Sequence, residues 1–267
     1  MEKKSSSFAN LFLLLIFFIL YAPIFYLIFY SFNSGGTMSH FEGFTLDWYR
    51  ELLHDTRLLI IVLNTVVIAL LSALIATITG VLGAIGIRSY KRRQTRNTLL
   101  SLNNVLIVSP DVIMGASFLI LFTMAGIQLG FYSVLLSHIA FSIPIVVLMV
   151  LPKLMEMSPS LEDAARDLGA SHWNVLTKVT LPYIAPGIFA GFFMALTYSL
   201  DDFAVTFFVT GNGFSTLSVE IYSLARRGVS LNINALSTLM FVITVIFVVV
   251  YYYLASRSGT KGANFRR

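Results

Sequence analysis

Residues 158–171 read SPSLEDAARDLGAS and lie as a polar stretch between two strongly apolar segments. Ser158 is a favoured helix cap, and Pro159 is favoured at the first position of a helix. Gly169 can end that helix in a left-handed backbone conformation. The stretch therefore predicts a short helix outside the apolar part of the chain.

This short helix is amphipathic. Its apolar residues fall at i, i+3, i+4 and i+7 and form one stripe: Leu161, Ala164, Ala165 and Leu168. Its other face is mainly acidic: Glu162, Asp163, Arg166 and Asp167. Glu162 precedes Arg166 by four residues, which favours an ion pair. A helix that lies on lipid needs a larger apolar face and a basic polar face, so this helix is better suited to a groove in another protein.

A second short helix is expected after Gly169. Ser171 can cap it, and Pro182 is expected to end it before the next apolar segment begins. Its apolar residues would be Trp173, Val175 and Leu176. We call residues 153–182, which contain both helices, the elbow.

The remainder of the chain is apolar enough for a membrane. Of the 267 residues, 57% are hydrophobic and 12% are charged, about half the charged fraction of a soluble domain. Roughly 20 apolar residues span a bilayer, and six such stretches are expected: 9–32, 58–87, 98–126, 132–152, 183–209 and 235–256. The first is too long for a signal peptide and lacks a cleavage site, so it is expected to be retained. The predicted fold class is all-α: residues 1–267 form a single polytopic transmembrane domain.

The basic residues orient the chain, because lysine and arginine are concentrated in cytoplasmic loops of membrane proteins. With the N-terminus in the cytoplasm, 14 of the 18 lysine and arginine residues lie inside. Both termini and the elbow are then cytoplasmic, and the loops 33–57 and 210–234 face outward. The basic loop Arg88–Arg96 is interpreted as a topology anchor beside anionic lipid, not as a nucleic-acid site.

Both outward loops are expected to carry helices on the membrane surface. In the first, Thr45 can cap a helix. Its interfacial side chains would be Trp48, Tyr49 and Leu52. The second opens with a Gly-Asn-Gly turn at 211–213 and continues with a helical pattern from Leu217.

The third span contains Ser109-Pro110-Asp111 near its middle. Proline removes a helical hydrogen bond and disfavours helix at the preceding residue. The sequence therefore predicts a broken span, and irregular backbone at that depth requires protein or a water-filled cavity beside it. The fourth span carries Pro144 and is expected to end at Pro152.

No catalytic signature is found. The sequence contains no G-x-x-x-x-G-K-[ST] phosphate loop and no H-E-x-x-H metal motif. The four histidines, at 40, 54, 138 and 172, have no spacing that suggests a metal site, and cysteine is absent. We therefore expect neither catalytic residues nor a metal or cofactor in this chain.

The elbow resembles the EAA loop of bacterial ABC importer permeases, the binding-protein-dependent type I family. The matching residues are Asp163-Ala164-Ala165, Gly169 and Val179-x-Leu181-Pro182, with Asp163 in place of Glu and Val179 in place of Ile. The resemblance implies a type I (MetI-like) permease fold over nearly the whole chain. It also implies that Mg-ATP is bound and hydrolysed by a separate ATPase. The implied docking residues are Leu161, Glu162, Asp163, Ala164, Ala165, Leu168 and Gly169.

Two acids in the fifth span, Asp201 and Asp202, require an explanation. Each costs roughly 2.5–3.5 kcal/mol at bilayer depth on insertion scales, so they should face a polar cavity, a partner chain or a cation. Tyr198, Asp201, Asp202 and Val205 would share one helical face. Carboxylates beside an aromatic ring suit an organic ammonium ion, and Asp111 would add a third anion. The alternatives are a structural hydrogen bond between two permease chains for the pair, and a helix cap for Asp111.

The segments around these acids are similar to spermidine/putrescine permeases. They read YSLDDF at 198–203, FFVTG at 207–211 and NINALST at 232–238. This resemblance implies a polyamine substrate and a bacterial inner-membrane location. The implied partners are a second homologous permease, two ATPase subunits, a periplasmic polyamine-binding protein and membrane lipid, with no nucleic acid.

Other functions remain open at this point. A related importer could carry ferric iron, thiamine or an anion, although acids within the spans argue against anions. A proton-coupled secondary transporter could use Asp111, Asp201 and Asp202 as a relay, but it would leave the elbow unexplained. A membrane scaffold without transport would leave the acids unexplained.

Overall fold

The computed structural model describes residues 7–227 and 231–263, and most of them are helical. In chain order the helices are α1 (Ser7–Tyr30), α2 (Asp47–His54), α3 (Thr56–Ser89), α4 (Arg93–Val108), α5 (Asp111–Met124), α6 (Phe131–Glu156), α7 (Pro159–Asp167), α8 (His172–Val175), α9 (Leu181–Asp201), α10 (Ala204–Val209), α11 (Leu217–Arg227) and α12 (Leu231–Ala263). In the described ranges, extended backbone pairs only at an isolated bridge between Asn33 and Phe44. The predicted all-α class is confirmed.

Several helices have the length and composition of membrane spans. Four qualify individually: Asn10–Tyr30, Thr56–Ser89, Phe131–Glu156 and His172–Asp201. α4 and α5 qualify together, as one span bent by 103° at the predicted break around Ser109-Pro110. The sixth predicted span, 235–256, falls within α12, whose described apolar part, Leu231–Ile246, is shorter. The chain is a multi-pass membrane protein.

Among the described residues, 7–59, 221–227 and 231–263 form one compact unit. Within it, α12 packs against α1 and α2. The loop before α2 is organised by Asn33, which is fully buried. Its side-chain amide donates to the carbonyl oxygens of Thr37 and His40 at 2.9 and 2.8 Å, and its side-chain oxygen accepts the Glu42 N–H at 2.8 Å.

The aromatic residues of α2 hold this loop through hydrogen bonds, and the placement of α2 on the membrane surface stays a prediction. The Trp48 indole N–H donates to the Asn33 carbonyl at 2.7 Å, and the Tyr49 hydroxyl lies 2.6 Å from that of Ser31. Leu52 is buried. Each polar tip finds a partner within the unit, which lets the ring be buried without loss of a hydrogen bond.

Residues 60–220 form the second unit. One apolar cluster lies where α6 meets α3 and α9, and it contains Ala73, Ala76, Val146, Val150 and Ile184. Small residues permit this close packing: a Cβ at Gly191 of α9 would lie only 3.2 Å from Val146 of α6. A second cluster joins α5, α6 and α10.

Two helices run past prolines that were expected to end them. α6 ends at Glu156 and not at Pro152. α8 continues through a π-helical segment, Leu176–Thr180, into α9, whose first turn contains Pro182. Proline lacks an N–H and crowds the carbonyl four residues earlier. Pro182 lies at the first positions of α9, directly after the π-helical segment, where a missing N–H is tolerated and the chain stays helical.

The fifth predicted span, 183–209, is two helices in the structure. α9 ends at Asp201, Asp202 has extended backbone, and α10 begins at Ala204. The prediction that Tyr198, Asp201, Asp202 and Val205 share one helical face is therefore wrong. The cause is the Asp202 carboxylate, which accepts the N–H groups that open α10 and so competes with continuation of α9.

Candidate functional site

The elbow is built as the sequence predicts. Ser158 occupies the cap position of α7 without a side-chain bond to the helix backbone. Gly169 has φ +82°, the left-handed conformation expected of a glycine that ends a helix. Its N–H donates to the Arg166 carbonyl at 2.8 Å. The Ser171 hydroxyl accepts the Asn174 N–H at 3.3 Å and caps α8.

The apolar stripe of the elbow lies open. Leu168 is 90% exposed, Trp173 70% and Leu161 45%. Ala164 is exposed and Ala165 is half-buried. The described part of the chain therefore leaves this stripe available to another molecule, at the free-energy cost of keeping apolar area in water.

An ion pair that the sequence analysis missed fixes the elbow to α3. Arg88 Nη1 lies 2.7 Å from Glu162 Oε1, and each side chain is only about one-fifth exposed. The predicted pair of Glu162 with Arg166 is confirmed at 3.8 Å, and Arg166 also lies 3.4 Å from Asp163. Arg88 is thus more than a topology anchor. Its partner lies 74 residues away in the chain, so no local pattern could reveal the contact.

All four predicted pathway residues line one recess of about 330 Å³ at the end of α9. The Tyr198 hydroxyl donates to Asp111 Oδ1 at 3.1 Å, which joins α9 to the start of α5. Asp201 is exposed and lines the same recess, together with Thr197 and Met194. The arrangement places three carboxylates and a phenol ring around one small volume. A contact with transported molecules stays a prediction for all of them.

Asp202 is placed differently from its neighbour. Its side chain is 5% exposed, and its Oδ2 accepts the backbone N–H and the hydroxyl of Thr206 at 2.8 and 2.7 Å. His138 Nε2 lies 3.6 Å away. This carboxylate also lies at the edge of the recess, but its oxygens are occupied by partners within the chain. The hypothesis of a bond to another permease chain is therefore not needed to explain its burial.

His138 is the functional candidate that sequence reasoning did not find. It is fully buried in α6, with Nδ1 2.6 Å from the Ser199 hydroxyl and Nε2 2.8 Å from the Thr206 hydroxyl. A lone histidine in an apolar helix gives no sign of such contacts. The sequence did hold one indication: an acid such as Asp202 within a span carries a free-energy cost of burial unless a polar partner is buried beside it.

A larger recess, of about 470 Å³, lies between α4 and α6. Its lining is mainly aliphatic, with Asn103, Asn104 and Glu156 as the polar members. None of the predicted docking or pathway residues lines it.

Comparisons with known proteins agree with this architecture. Residues 76–258 match the family model described as the binding-protein-dependent transport system inner membrane component. The spermidine/putrescine transport system permease protein PotC of Escherichia coli strain K12 is 39% identical over 94% of this chain and 94% of its own length. The putrescine transport system permease protein PotI of the same strain is 36% identical, over 92% of this chain and 90% of that protein.

A solved structure shows the fold. A chain of a bacterial ABC transporter involved in the import of the acidic polysaccharide alginate superposes with a TM-score of 0.73, at 19% identity, over 94% of both chains. The fold is that of type I ABC importer permeases, as the EAA loop implied. The chain therefore belongs to the family of binding-protein-dependent transport system inner membrane components.

Proposed function

We propose that this chain is the permease subunit of an ATP-driven importer for polyamines such as spermidine and putrescine. The observation that carries the proposal is the recess at the end of α9, where Asp111, Asp201 and Tyr198 meet. The names of the two polyamine permeases that match nearly the whole chain support the same substrate class.

The recess suits an ammonium group by charge and by shape. Amines of polyamines are protonated at neutral pH, because alkylammonium groups titrate near pH 10. Two carboxylates at a site partly withdrawn from water attract such a group more strongly than they would in bulk solvent. The ring of Tyr198 adds a cation–π surface. An anionic substrate would be repelled by these carboxylates.

In this proposal a separate ATPase binds and hydrolyses Mg-ATP. The open apolar stripe of the elbow, bordered by acids, would seat in a groove of that ATPase as an amphipathic helix does. Closure of an ATPase pair would pull on the elbow and alternate the access of the substrate path between the two sides. The absence of a phosphate loop from the sequence supports this division of labour.

The proposed assembly contains a second homologous permease, two ATPase subunits and a periplasmic polyamine-binding protein. Residues 1–267 act in it as one permease domain. The elbow, 153–182, meets the ATPase, and the outward loops 33–57 and 210–234 meet the binding protein. The proposed location is the bacterial inner membrane, with both termini in the cytoplasm. The excess of lysine and arginine in the inside segments supports this orientation.

The test is uptake of labelled spermidine and putrescine into vesicles that contain the complete complex and an ATP-regenerating system. We expect uptake with hydrolysable ATP and none with a non-hydrolysable analogue. Unlabelled thiamine or ferric iron in excess should not compete. Uptake that persists without ATP would contradict the importer class, and ATP-driven uptake of thiamine or iron without polyamines would contradict the substrate.

A further inference from the structure

A series of hydrogen bonds between buried hydroxyl, imidazole and carboxylate groups crosses the core of residues 60–220. The Ser72 hydroxyl of α3 donates to Ser199 of α9 at 3.0 Å. Ser199 lies 2.6 Å from His138 Nδ1, and Thr206 of α10 lies 2.8 Å from His138 Nε2. Thr206 then donates to Asp202 at 2.7 Å. This series of hydrogen bonds thus joins α3, α6 and α9 to the break between α9 and α10.

One assignment of hydrogens fits every contact. Thr206 gives its single hydroxyl proton to Asp202, so its oxygen must accept one from His138 Nε2. The Ser199 oxygen accepts from Ser72, and one hydrogen lies between Ser199 and His138 Nδ1. Each donor in the series has one acceptor.

The series ends at the residues that line the recess. Ser199 follows Tyr198 directly, and Asp202 follows Asp201. The ring of Phe141 packs between His138, at 4.9 Å, and Tyr198, at 5.2 Å between ring centroids. The backbone at the break is also held, because the Ser218 hydroxyl donates to the Asp202 carbonyl at 2.6 Å. A shift of the imidazole would therefore displace both sides of the break.

We propose that His138 is a positioning residue: bonded to Ser199 on one ring nitrogen and to Thr206 on the other, it fixes the α9–α10 break and so holds Asp201 and Tyr198 in the recess. This role rests on the proposed function as far as transport is concerned, but the geometry it fixes can be measured without transport. It assigns the two neighbouring acids different tasks. Asp201 faces the transported cation, and Asp202 maintains the break.

A cysteine probe tests the geometry directly, because the chain contains no cysteine. Thr197 lines the recess and is exposed, so Thr197→Cys in the full complex can be labelled with a cationic trimethylammonium thiosulfonate and with a neutral thiosulfonate. The ratio of the two labelling rates reports the negative field around the cysteine. We expect the cationic reagent to react at least about threefold faster, and Asp201→Asn to remove most of that preference.

The imidazole is then changed in the same background. His138→Leu should lower the rate ratio at least about twofold, and His138→Gln, which keeps an amide toward Thr206, should retain more of it. The matched control is Ser137→Ala: this neighbour is also fully buried, and its hydroxyl bonds to the Ser133 carbonyl of its own helix. It should leave the ratio unchanged.

A second variant guards against misfolding. Thr206→Val keeps the volume of the side chain and removes the hydroxyl between His138 and Asp202, so it should lower the ratio as His138→Leu does. Thr123→Val, whose hydroxyl bonds to the Leu119 carbonyl of its own helix, is its control. Unchanged ratios in both His138→Leu and Thr206→Val would overturn the proposal, and so would a ratio that Asp201→Asn does not alter.

Transport separates this proposal from the proposed function. In complexes that take up polyamine, His138→Leu should lower uptake per assembled complex at least about threefold, with partial rescue by His138→Gln. A purely structural role would reduce the amount of complex and leave the rate per complex intact, which would contradict positioning. If the unmodified complex takes up no polyamine, the proposed function is wrong, while the labelling ratios still decide the role of His138.

Discussion

The same arrangement occurs in two pairs of neighbouring acids: Glu162-Asp163 in the elbow and Asp201-Asp202 at the end of α9. In each pair one carboxylate is tied by a largely buried contact and the other is left exposed, although Asp163 also pairs with Arg166 of its own helix. Glu162 lies 2.7 Å from Arg88, whereas Asp163 is 66% exposed. Asp202 is bonded within the core, whereas Asp201 lines the recess.

The two regions differ in what holds the tied acid. Glu162 is held by a partly exposed ion pair, and such pairs contribute little, on the order of 1 kcal/mol, and exchange with solvent readily. Asp202 is held by hydrogen bonds in the core, where loss of a partner costs about 1–3 kcal/mol. The elbow can therefore move with whatever binds it, while the break at α9 keeps one geometry. The following changes test this difference.

The largest effect is expected at Leu168. This side chain is 90% exposed in the chain, and in the proposed complex it is buried against the ATPase. Leu168→Asp should weaken co-purification of the ATPase about 100-fold, because it removes roughly 1.5–3 kcal/mol of apolar burial and buries a charge. Asp167→Asn, next to it on the polar face, is the control and should have little effect. Full retention of the ATPase by Leu168→Asp would place the docking surface elsewhere.

Asp201→Asn should lower polyamine uptake about tenfold per complex, because it removes one of the three carboxylates that line the recess. The measurement is the initial rate of labelled spermidine uptake, normalised to assembled complex. Thr79→Val, which removes an exposed hydroxyl that bonds to the Ile75 carbonyl of its own helix, serves as the control. Equal rates for Asp201→Asn and the unmodified complex would remove Asp201 from the substrate path.

Gly169→Ala tests whether the left-handed backbone conformation that ends α7 is needed for docking. Alanine at φ +82° costs about 1–2 kcal/mol, although the site has open space around it. The direction of the chain after α7 should change, and ATPase binding should fall several-fold. Gly126→Ala is closely matched, since Gly126 has φ +69° and is equally open, and it should strain the chain without loss of the ATPase. Equal losses in both variants would mean that strain alone, not elbow geometry, weakens docking.

The smallest effect is expected for the pair of Arg88 with Glu162. Arg88→Glu should reduce the transport obtained per ATP hydrolysed about two- to threefold, and adding Glu162→Arg should restore most of it. The exposed contact of Arg92 with Gln94, at 2.9 Å, is the control, and Arg92→Ala should change the ratio little. If the double reversal restores nothing, the contact does not link α3 to the elbow.

The sequence predicts the elbow better than the recess, and the reason is the range of the interactions. The Ser171 cap, the glycine at 169 and the break at 109–111 depend on residues close in sequence, and they appear where expected. Ser158 holds its cap position without a side-chain bond, and Leu46 takes the cap position of α2 that was expected for Thr45. The positions of Asp201 and Asp202 depend on His138 and on a helix break that Asp202 itself creates. The hydropathy pattern predicts one continuous span over residues 183–209, because hydropathy does not report that a carboxylate accepts backbone N–H groups.

The arginine at 88 illustrates the same limit on a smaller scale. Charge counting gives it a general role in topology, which needs only its position beside a span. Its specific role requires Glu162, 74 residues further along the chain, to return to the end of α3. Long-range contacts of this kind decide which of two adjacent acids is tied and which is open.

The most direct test of the split between tied and open acids is thermal unfolding of the complete complex with Asp201→Asn or Asp202→Asn. The account predicts that Asp202→Asn lowers the midpoint by about 4–8 °C, as loss of about 2 kcal/mol implies for a chain of this size, and that Asp201→Asn leaves it within about 1 °C. Equal shifts in both variants, or a larger shift for Asp201→Asn, would contradict the account.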